Sequence, residues 1–340
     1  MRTGKHRGEE IIVLGDINAD IIARVSSWPE PGGECLAERV ELHCGGVGAN
    51  CALALRQWGI SARLIGCVGK DDFGGALLKT LAENGVDVKC IQRTGKAMTG
   101  LLYINVTPDG QRTFFGSRGA NCLVGRQSSG SALWRRARAA SLLGYSFLDP
   151  RPALAARQIL RAVRARGGWV SLDVGMEPSN KIPRQILRVA KQVDLLFVSS
   201  EEAAALTGRR DPRESLARLR KAGARDVVMK LGKRGCLILE EGVVRQVPSF
   251  AVRAVDSTGA GDAFTAAFLQ ARLRGWPVAE AAVAANAAGA AAASVVGAGE
   301  KSPGLREITR LLRTQRLREP WDAVRLRVLR RLNAGSGASR

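Results

Sequence analysis

The regular patterning of the chain opens with Ile11-Ile12-Val13-Leu14-Gly15, an unbroken apolar run that suits a short strand buried on both faces. Asp16-Ile17-Asn18-Ala19-Asp20 then alternates polar and apolar residues, which predicts a strand whose wet face carries Asp16, Asn18 and Asp20. Trp28-Pro29-Glu30-Pro31-Gly32-Gly33 is a turn-rich break, after which Cys35 to His43 resumes a strand pattern. A helix is predicted from Asn50 to about Trp58 and another over Phe73 to Glu83, with strands over Arg63 to Cys67 and Val86 to Ile91. Thr99 to Val106 and Arg112 to Phe115 frame Pro108-Asp109-Gly110, a turn with a mechanism, and so form a hairpin.

From Ala139 onward, strands near Leu142–Gly144, Val170–Asp173, Leu195–Val198 and Val227–Lys230 alternate with helices at Ala153–Arg166, Arg184–Lys191 and Arg213–Ala222. Such alternation implies right-handed crossovers and a mainly parallel sheet covered on both sides. Ligands in such sheets sit beyond the carboxyl ends of the strands. Ser199, Glu202, Gly232 and Asp256 all follow strands in that sense.

Asp256-Ser257-Thr258-Gly259-Ala260-Gly261-Asp262 is a turn of small residues leading into an apolar helix pattern. A helix starting near Ala260 or Gly261 points free N–H groups and its positive dipole end at the turn, a geometry suited to phosphate. Asp262, just inside that start, adds a carboxylate able to take a proton from a substrate hydroxyl. Amide donors and a base at one spot suit phosphoryl transfer, where positioning and electrostatics supply nearly all the catalysis. The same residues also suit a plain helix cap.

Composition narrows the chemistry. A formal net charge of +21 raises nucleic-acid binding, but the arginines are spread over helix-like stretches with no aromatic-interleaved platform, so a solvated basic surface is expected. Seven cysteines without a CxxC pair fit buried thiols in a reducing compartment. With only two histidines, His6 and His43, a His-based triad or multi-His metal site is disfavoured, leaving a carboxylate, ahead of Lys, Cys or Tyr, as the general base. The polar first ten residues do not read as a secretory signal, and Ala281 to Val296 is too short to span a bilayer; the expected location is the cytoplasm. Neither a Walker A pattern nor GxGxxG occurs.

Asp256 to Phe264 resembles the C-terminal signature of the ribokinase-like (PfkB-type) carbohydrate kinases. Gly45-Gly46-Val47-Gly48-Ala49-Asn50, followed by Gly59 and Gly69, resembles their N-terminal signature. The likeness runs from about Ile11 to Leu311. It implies a three-layer α/β/α fold with a mainly parallel central sheet and a small β-sheet lid. The expected division is a disordered segment 1–10, a kinase domain 11–312 with its lid from about 16–43 and 98–117, and an Arg-rich extension 313–340 whose end, from Ala334, is a disordered tail.

The resemblance also implies roles. Asn18 and Asp20, with Asp16, Gly45, Gly46 and Asn50, would hold a sugar, and Asp262 would be the base, aided by the amides of Gly259, Ala260 and Gly261. Ser199, Lys230, Gly232, Gly235, Gly259, Gly261 and Asn286 would border ATP. Ser199 stands where the family has Asn, while Glu202 keeps the acid expected to reach Mg2+ through water. Asp256 and Thr258 would lie at a monovalent cation such as K+. Val47 replaces a Lys usual in ribokinases. Arg112 and Arg118 are expected at the solvent, within reach of an anionic substituent. The implied activity is ATP-dependent phosphorylation of a primary hydroxyl on ribose, fructose, a 2-keto-3-deoxy sugar acid or a nucleoside, by a homodimer that binds neither nucleic acid nor membrane. An inactive sugar- and nucleotide-binding sensor is the alternative of another class.

Overall fold

A computed structural model describes residues 10–108, 111–126, 137–295 and 297–336; the expected N-terminal segment up to residue 9, the Asp109-Gly110 turn and residues 337–340 lie outside these. In chain order the N-terminal half runs β1 (Glu10–Leu14), β2 (Asn18–Val25), β3 (Ala37–Gly45), α1 (Val47–Gln57), β4 (Ser61–Gly69), α2 (Asp72–Glu83), β5 (Ile91–Thr94), β6 (Gly100–Val106), β7 (Arg112–Ser117) and β8 (Ala137–Leu143). Next come α3 (Pro150–Arg164), β9 (Trp169–Asp173), α4 (Met176–Lys181), α5 (Pro183–Ala190), β10 (Leu195–Ser199), α6 (Ser200–Thr207), α7 (Pro212–Lys221) and β11 (Asp226–Lys230). The chain closes with β12 (Cys236–Glu240), β13 (Val243–Val247), α8 (Ala260–Leu273), α9 (Val278–Ala293), α10 (Leu305–Thr314) and α11 (Trp321–Ser336).

Among the described residues, nine strands form the main sheet in the order β13-β12-β11-β10-β9-β8-β1-β4-β5. It is parallel from β5 to β11, and an antiparallel hairpin, β12–β13, closes one edge. Strand β1 shows why there are three layers. Its side chains alternate between the faces, so Ile11 and Val13 join the core under α1, α8 and α9, while Ile12 and Leu14 join the core under α3, α5 and α7. All four are essentially solvent-free. A second sheet, β3-β2-β6-β7, stands at the carboxyl edge of the first and forms the lid.

Three local expectations shift. The strand expected over Val86–Ile91 lies at Ile91–Thr94, because Val86 still bonds back to Leu81 at the end of α2 and Asp87 makes only an isolated bridge to Arg63. The β12–β13 hairpin, which the sequence reading passed over, turns at Glu241-Gly242, both at positive φ (48° and 87°). At the C-terminus, the boundary expected at residues 312/313 falls inside α10, and the segment expected to become a tail at Ala334 is still helical through Ser336.

Helix α11 packs on α9 through a buried acid. Glu280, 3% exposed, accepts from Arg327 Nε at 3.0 Å and Arg331 Nε at 2.6 Å. Substituting Glu280→Gln weakens two charge-assisted hydrogen bonds, and a cost of about 1–3 kcal/mol is expected, read as a lower urea midpoint at unchanged m-value.

Candidate active site

The carboxyl ends of β1, β9, β10 and β11 bring Asp16, Asp173, Ser199 and Lys230 toward the start of α8, where the sheet rule places a ligand. Helix α8 begins after Gly259, whose left-handed backbone (φ 71°) turns the chain, and no side chain caps it. The Ala260 amide donates to the Ser257 carbonyl at 3.3 Å, and the Gly261 and Asp262 amides that follow face the site.

Two cavities meet at this helix start. One, about 770 Å³, is lined by Asp16, Asn18, Asp20, Gly46, Asn50 and Asp262, with Thr258 and Gly259 at its wall. The other, about 610 Å³, is lined by Lys230, Gly232, Gly235, Asn286, Gly289 and Phe250, with Ser257, Ala260 and Gly261 at its wall. The turn 257–262 is thus the partition between them, and its residues face alternate sides.

In the first cavity, Asn50 Nδ2 donates to Asp262 Oδ2 at 2.9 Å, linking the starts of α1 and α8. Burial pushes the Asp262 carboxyl up to about 7, with Asp173 and Glu202 adding to the rise against Asn50 and Lys230. Asp20 is likewise raised to about 7, chiefly by burial, with His43 opposing and the Asp262 and Glu300 charges reinforcing. Asp20 Oδ1 and Asn50 Oδ1 are buried with no protein hydrogen-bond partner. Asn18 is oriented by Asn121, whose amide donates to its Oδ1 at 2.8 Å. Gly45 does not line the cavity; it lies behind Asp20, and a Cβ there would fall 1.9 Å from Asp20 Oδ2, so only glycine leaves that carboxylate its place.

On the other side, Lys230 Nζ bonds both oxygens of Asp173, at 3.1 and 3.0 Å, and Thr265 donates to Asp173 Oδ2 at 2.7 Å. Against the pull of burial, Asp173 and Glu202 hold the Lys230 pKa up, so a cation sits beside Gly261. Asn286 spends its amide on the Val247 and Pro248 carbonyls, tying α9 to the end of β13 while its edge lines the cavity. Ser199 and Glu202 line neither cavity. They form a capping box on α6, with Glu202 Oε2 accepting from the Ser199 amide at 2.8 Å.

For magnesium the donor set fits a phosphate-borne ion. Among the described residues no group of three or more His, Cys, Asp or Glu could cage a metal. Mg2+ usually keeps several waters and takes one or two carboxylates plus substrate phosphates. Glu202 and Asp173, close enough to perturb the same lysine, are the carboxylates that would be within reach of such an ion. A monovalent cation on the side chains of Asp256 and Thr258 fits less well. The Arg112 guanidinium already pairs with Asp256 at 2.7 Å, hydrogen-bonds Thr258, and reaches Ser257 at 2.7 Å. Despite its burial, Asp256 is held below the usual carboxylate range by Thr258, Gly297 and Arg112.

Both arginines expected at the solvent are therefore engaged. Arg112 bolts β7 of the lid to the turn, and Arg118 grips Asp16 through two 2.9 Å bonds while also pairing with Asp149. The sequence reading missed Asp173, Tyr145, Asp149 and Glu177. Only Asp173 carried a usable signal, an acid closing an apolar strand at its carboxyl end.

This fold and site define an ATP-dependent carbohydrate kinase, a phosphotransferase acting on an alcohol group. The chain belongs to the pfkB family of carbohydrate kinases, whose profile matches residues 9–304. It is similar to an ATP-dependent ribose-1-phosphate kinase of Halopiger xanaduensis, 33% identical over 85% of this chain and 93% of that one. It is 31% identical to an aminoimidazole riboside kinase of Salmonella typhimurium, over 85% of this chain and 90% of that one. Arabidopsis thaliana ribokinase, solved with ribose and ATP, superposes at a TM-score of 0.80 with 27% identity, over 91% of this chain and 100% of that one. An E. coli protein described as a ribokinase II, solved with ATP and Mg2+, gives 0.80 with 25% identity, over 90% of this chain and 100% of that one.

Carboxylate NMR should show Asp262 titrating near pH 7, acid below and ionised above. Its folded pKa exceeds the ordinary Asp value of 3.8, so folding takes up protons between the two; its contribution to stability falls as pH rises from about 4 to about 7. Asp262→Asn should show a shallower decline over that window in pH-dependent unfolding. Arg112→Gln removes charge-assisted bonds of about 1.5–3 kcal/mol, so amides of β6 and β7 should exchange roughly 10–100-fold faster with deuterium.

Proposed function

We propose that this chain transfers the γ-phosphoryl group of ATP to a primary hydroxyl of a small carbohydrate or its glycoside. One observation carries the reading: the turn 257–262 separates two cavities and presents Asp262 to one and the first amides of α8 to the other. The acceptor lies in the first cavity, where the orphaned buried oxygens of Asp20 and Asn50 match the hydroxyl donors of a polyol. The nucleotide lies in the second, its terminal phosphate at the helix start and beside Lys230.

In the reaction Asp262 accepts the hydroxyl proton as the hydroxyl oxygen bonds to the γ-phosphorus. The bond from that phosphorus to the β,γ-bridging oxygen breaks, and the electron pair leaves on ADP. A carboxylate with a pKa near 7 is matched to this task, ionised often enough to accept a proton and basic enough to keep it. Asn50 holds the carboxylate in line, and the amides of Gly259 to Asp262 stabilise charge on the transferring group. Glu202 would help hold a phosphate-borne Mg2+ through water, and the ion would neutralise phosphate charge. Arg112 provides beside Asp256 the positive charge that a monovalent cation would otherwise bring.

Exposed apolar residues on the lid, among them Val40, Leu42, Phe114 and Phe115, support a homodimer formed through that sheet. The absence among the described residues of a helix long and apolar enough to cross a membrane accords with a cytoplasmic enzyme.

Asp262→Asn should fold and bind ATP with near-native affinity by calorimetry, yet turn over roughly 10²–10⁴-fold more slowly in a coupled ADP-release assay. Turnover within a few-fold of native would remove Asp262 from the role of base.

A further inference from the structure

One wall of the cavity at Asn286 is a stretch of irregular chain. Residues 248–254 run without helix or strand between β13 and the turn that starts α8, and Phe250, Ala251 and Val252 line the cavity. Irregular backbone has to find its hydrogen-bond partners outside a ladder. Ala251 finds both of its own on one side chain. Its N–H donates to Gln315 Oε1 at 2.9 Å, and Gln315 Nε2 donates to its carbonyl at 2.7 Å. The two bonds join residues 64 apart in the chain and do what a neighbouring strand would do, fixing the position and the twist of one residue.

Gln315 is itself held. Its amide closes the last turn of α10 on the Leu311 carbonyl at 3.0 Å, and Ile308 and Leu312 of that helix are solvent-free. Beyond it, Asp322 accepts from the Leu317 amide at 2.8 Å and from the Arg325 guanidinium at 2.7 and 3.0 Å, while Arg325 also donates to the Leu312 carbonyl. These bonds knit α10, the linker and α11 into one piece. The same piece reaches a second wall of the cavity. Helix α9, which brings Asn286, Gly289 and Ala290 to the lining, is gripped at Glu280 by Arg327 and Arg331 of α11. Residues 305–336 thus bond to two walls of the cavity, although the family profile ends at residue 304.

The bonds are placed to act on one part of a nucleotide. With its terminal phosphate at the start of α8, beside Lys230, the remainder of the molecule extends along Phe250, Ala251 and Asn286. Resting on the reading of this cavity as the ATP site, we propose that Gln315 is a positioning residue for the nucleotide. It holds the 250–252 wall against the base and ribose, so the segment after residue 304 belongs to the donor site. Its side chain bonds Ala251 and neither the Asn50–Asp262 pair nor the Lys230–Asp173 pair, so its effect falls on the nucleoside end of ATP and spares the phosphate end.

The test titrates the full chain with ATP and Mg2+ by calorimetry, comparing the native protein with Gln315→Ala and with Gln315→Met, which keeps the side chain's length and removes both bonds. Losing two neutral hydrogen bonds at a part-exposed site should weaken ATP binding about three- to tenfold in both variants. Inorganic tripolyphosphate, which has the phosphates and no base, should bind all three proteins alike. The Ala251 amide should exchange faster with deuterium in the variants, with β10 and β11 exchanging at the native rate. ATP affinity within about twofold of native in both variants overturns the inference and leaves the kinase reading intact. Equal weakening of ATP and tripolyphosphate also overturns it, because that marks a general loosening of the site. If the native chain binds no ATP, the kinase reading fails, and this inference fails with it.

Discussion

The hydrogen bond from Asn50 to Asp262 joins residues far apart in the chain, at the starts of two helices that pack across one face of the sheet. A buried carboxylate costs free energy unless it is protonated or hydrogen-bonded, and Asn50 supplies the bond without a charge that would fix Asp262 as a permanent anion. The raised pKa follows from that compromise. Were an arginine in place of Asn50, the same burial would yield a stable ion pair and a poor base. Much of the surrounding architecture, from the glycine behind Asp20 to the left-handed turn at Gly259, brings backbone close to this small region.

Opposite charges are sorted with equal care across the partition. Lys230, gripped by Asp173 and steadied through Thr265, gives the cavity of Asn286 a fixed cation. The cavity of Asp262 has acids in excess, and its cations are paired where they stand. In the proposed transfer, the phosphoryl group would pass from a positive environment toward a proton acceptor, which suits a reaction in which the hydroxyl must become more nucleophilic. Arg112 closes the arrangement from the lid, making the turn part of both the floor and the cover.

Relatives at about 30% identity act on named acceptors as different as ribose 1-phosphate and aminoimidazole riboside. In this chain Tyr145, Asp149 and Glu177 line the same cavity as Val47 and Asp262, and none of the three lies in either glycine-rich signature.

The apolar runs and their 2- and 3.6-residue periods were enough to read layered α/β architecture, because burial on both faces of a parallel strand leaves no room for polar side chains. Asp262 and the amides ahead of it were likewise legible, since a helix start and the acid within it are neighbours in sequence. Pairings across long separations were not. Arg112 with Asp256 and Arg118 with Asp16 bridge 144 and 102 residues, so each arginine read locally as a surface residue. The lid had to fold over the sheet before either could find its partner. Nor could periodicity reveal that Asp149 and Glu177 share a chamber with Asp20, because cavity charge is a sum over strands and turns that only the tertiary fold brings together.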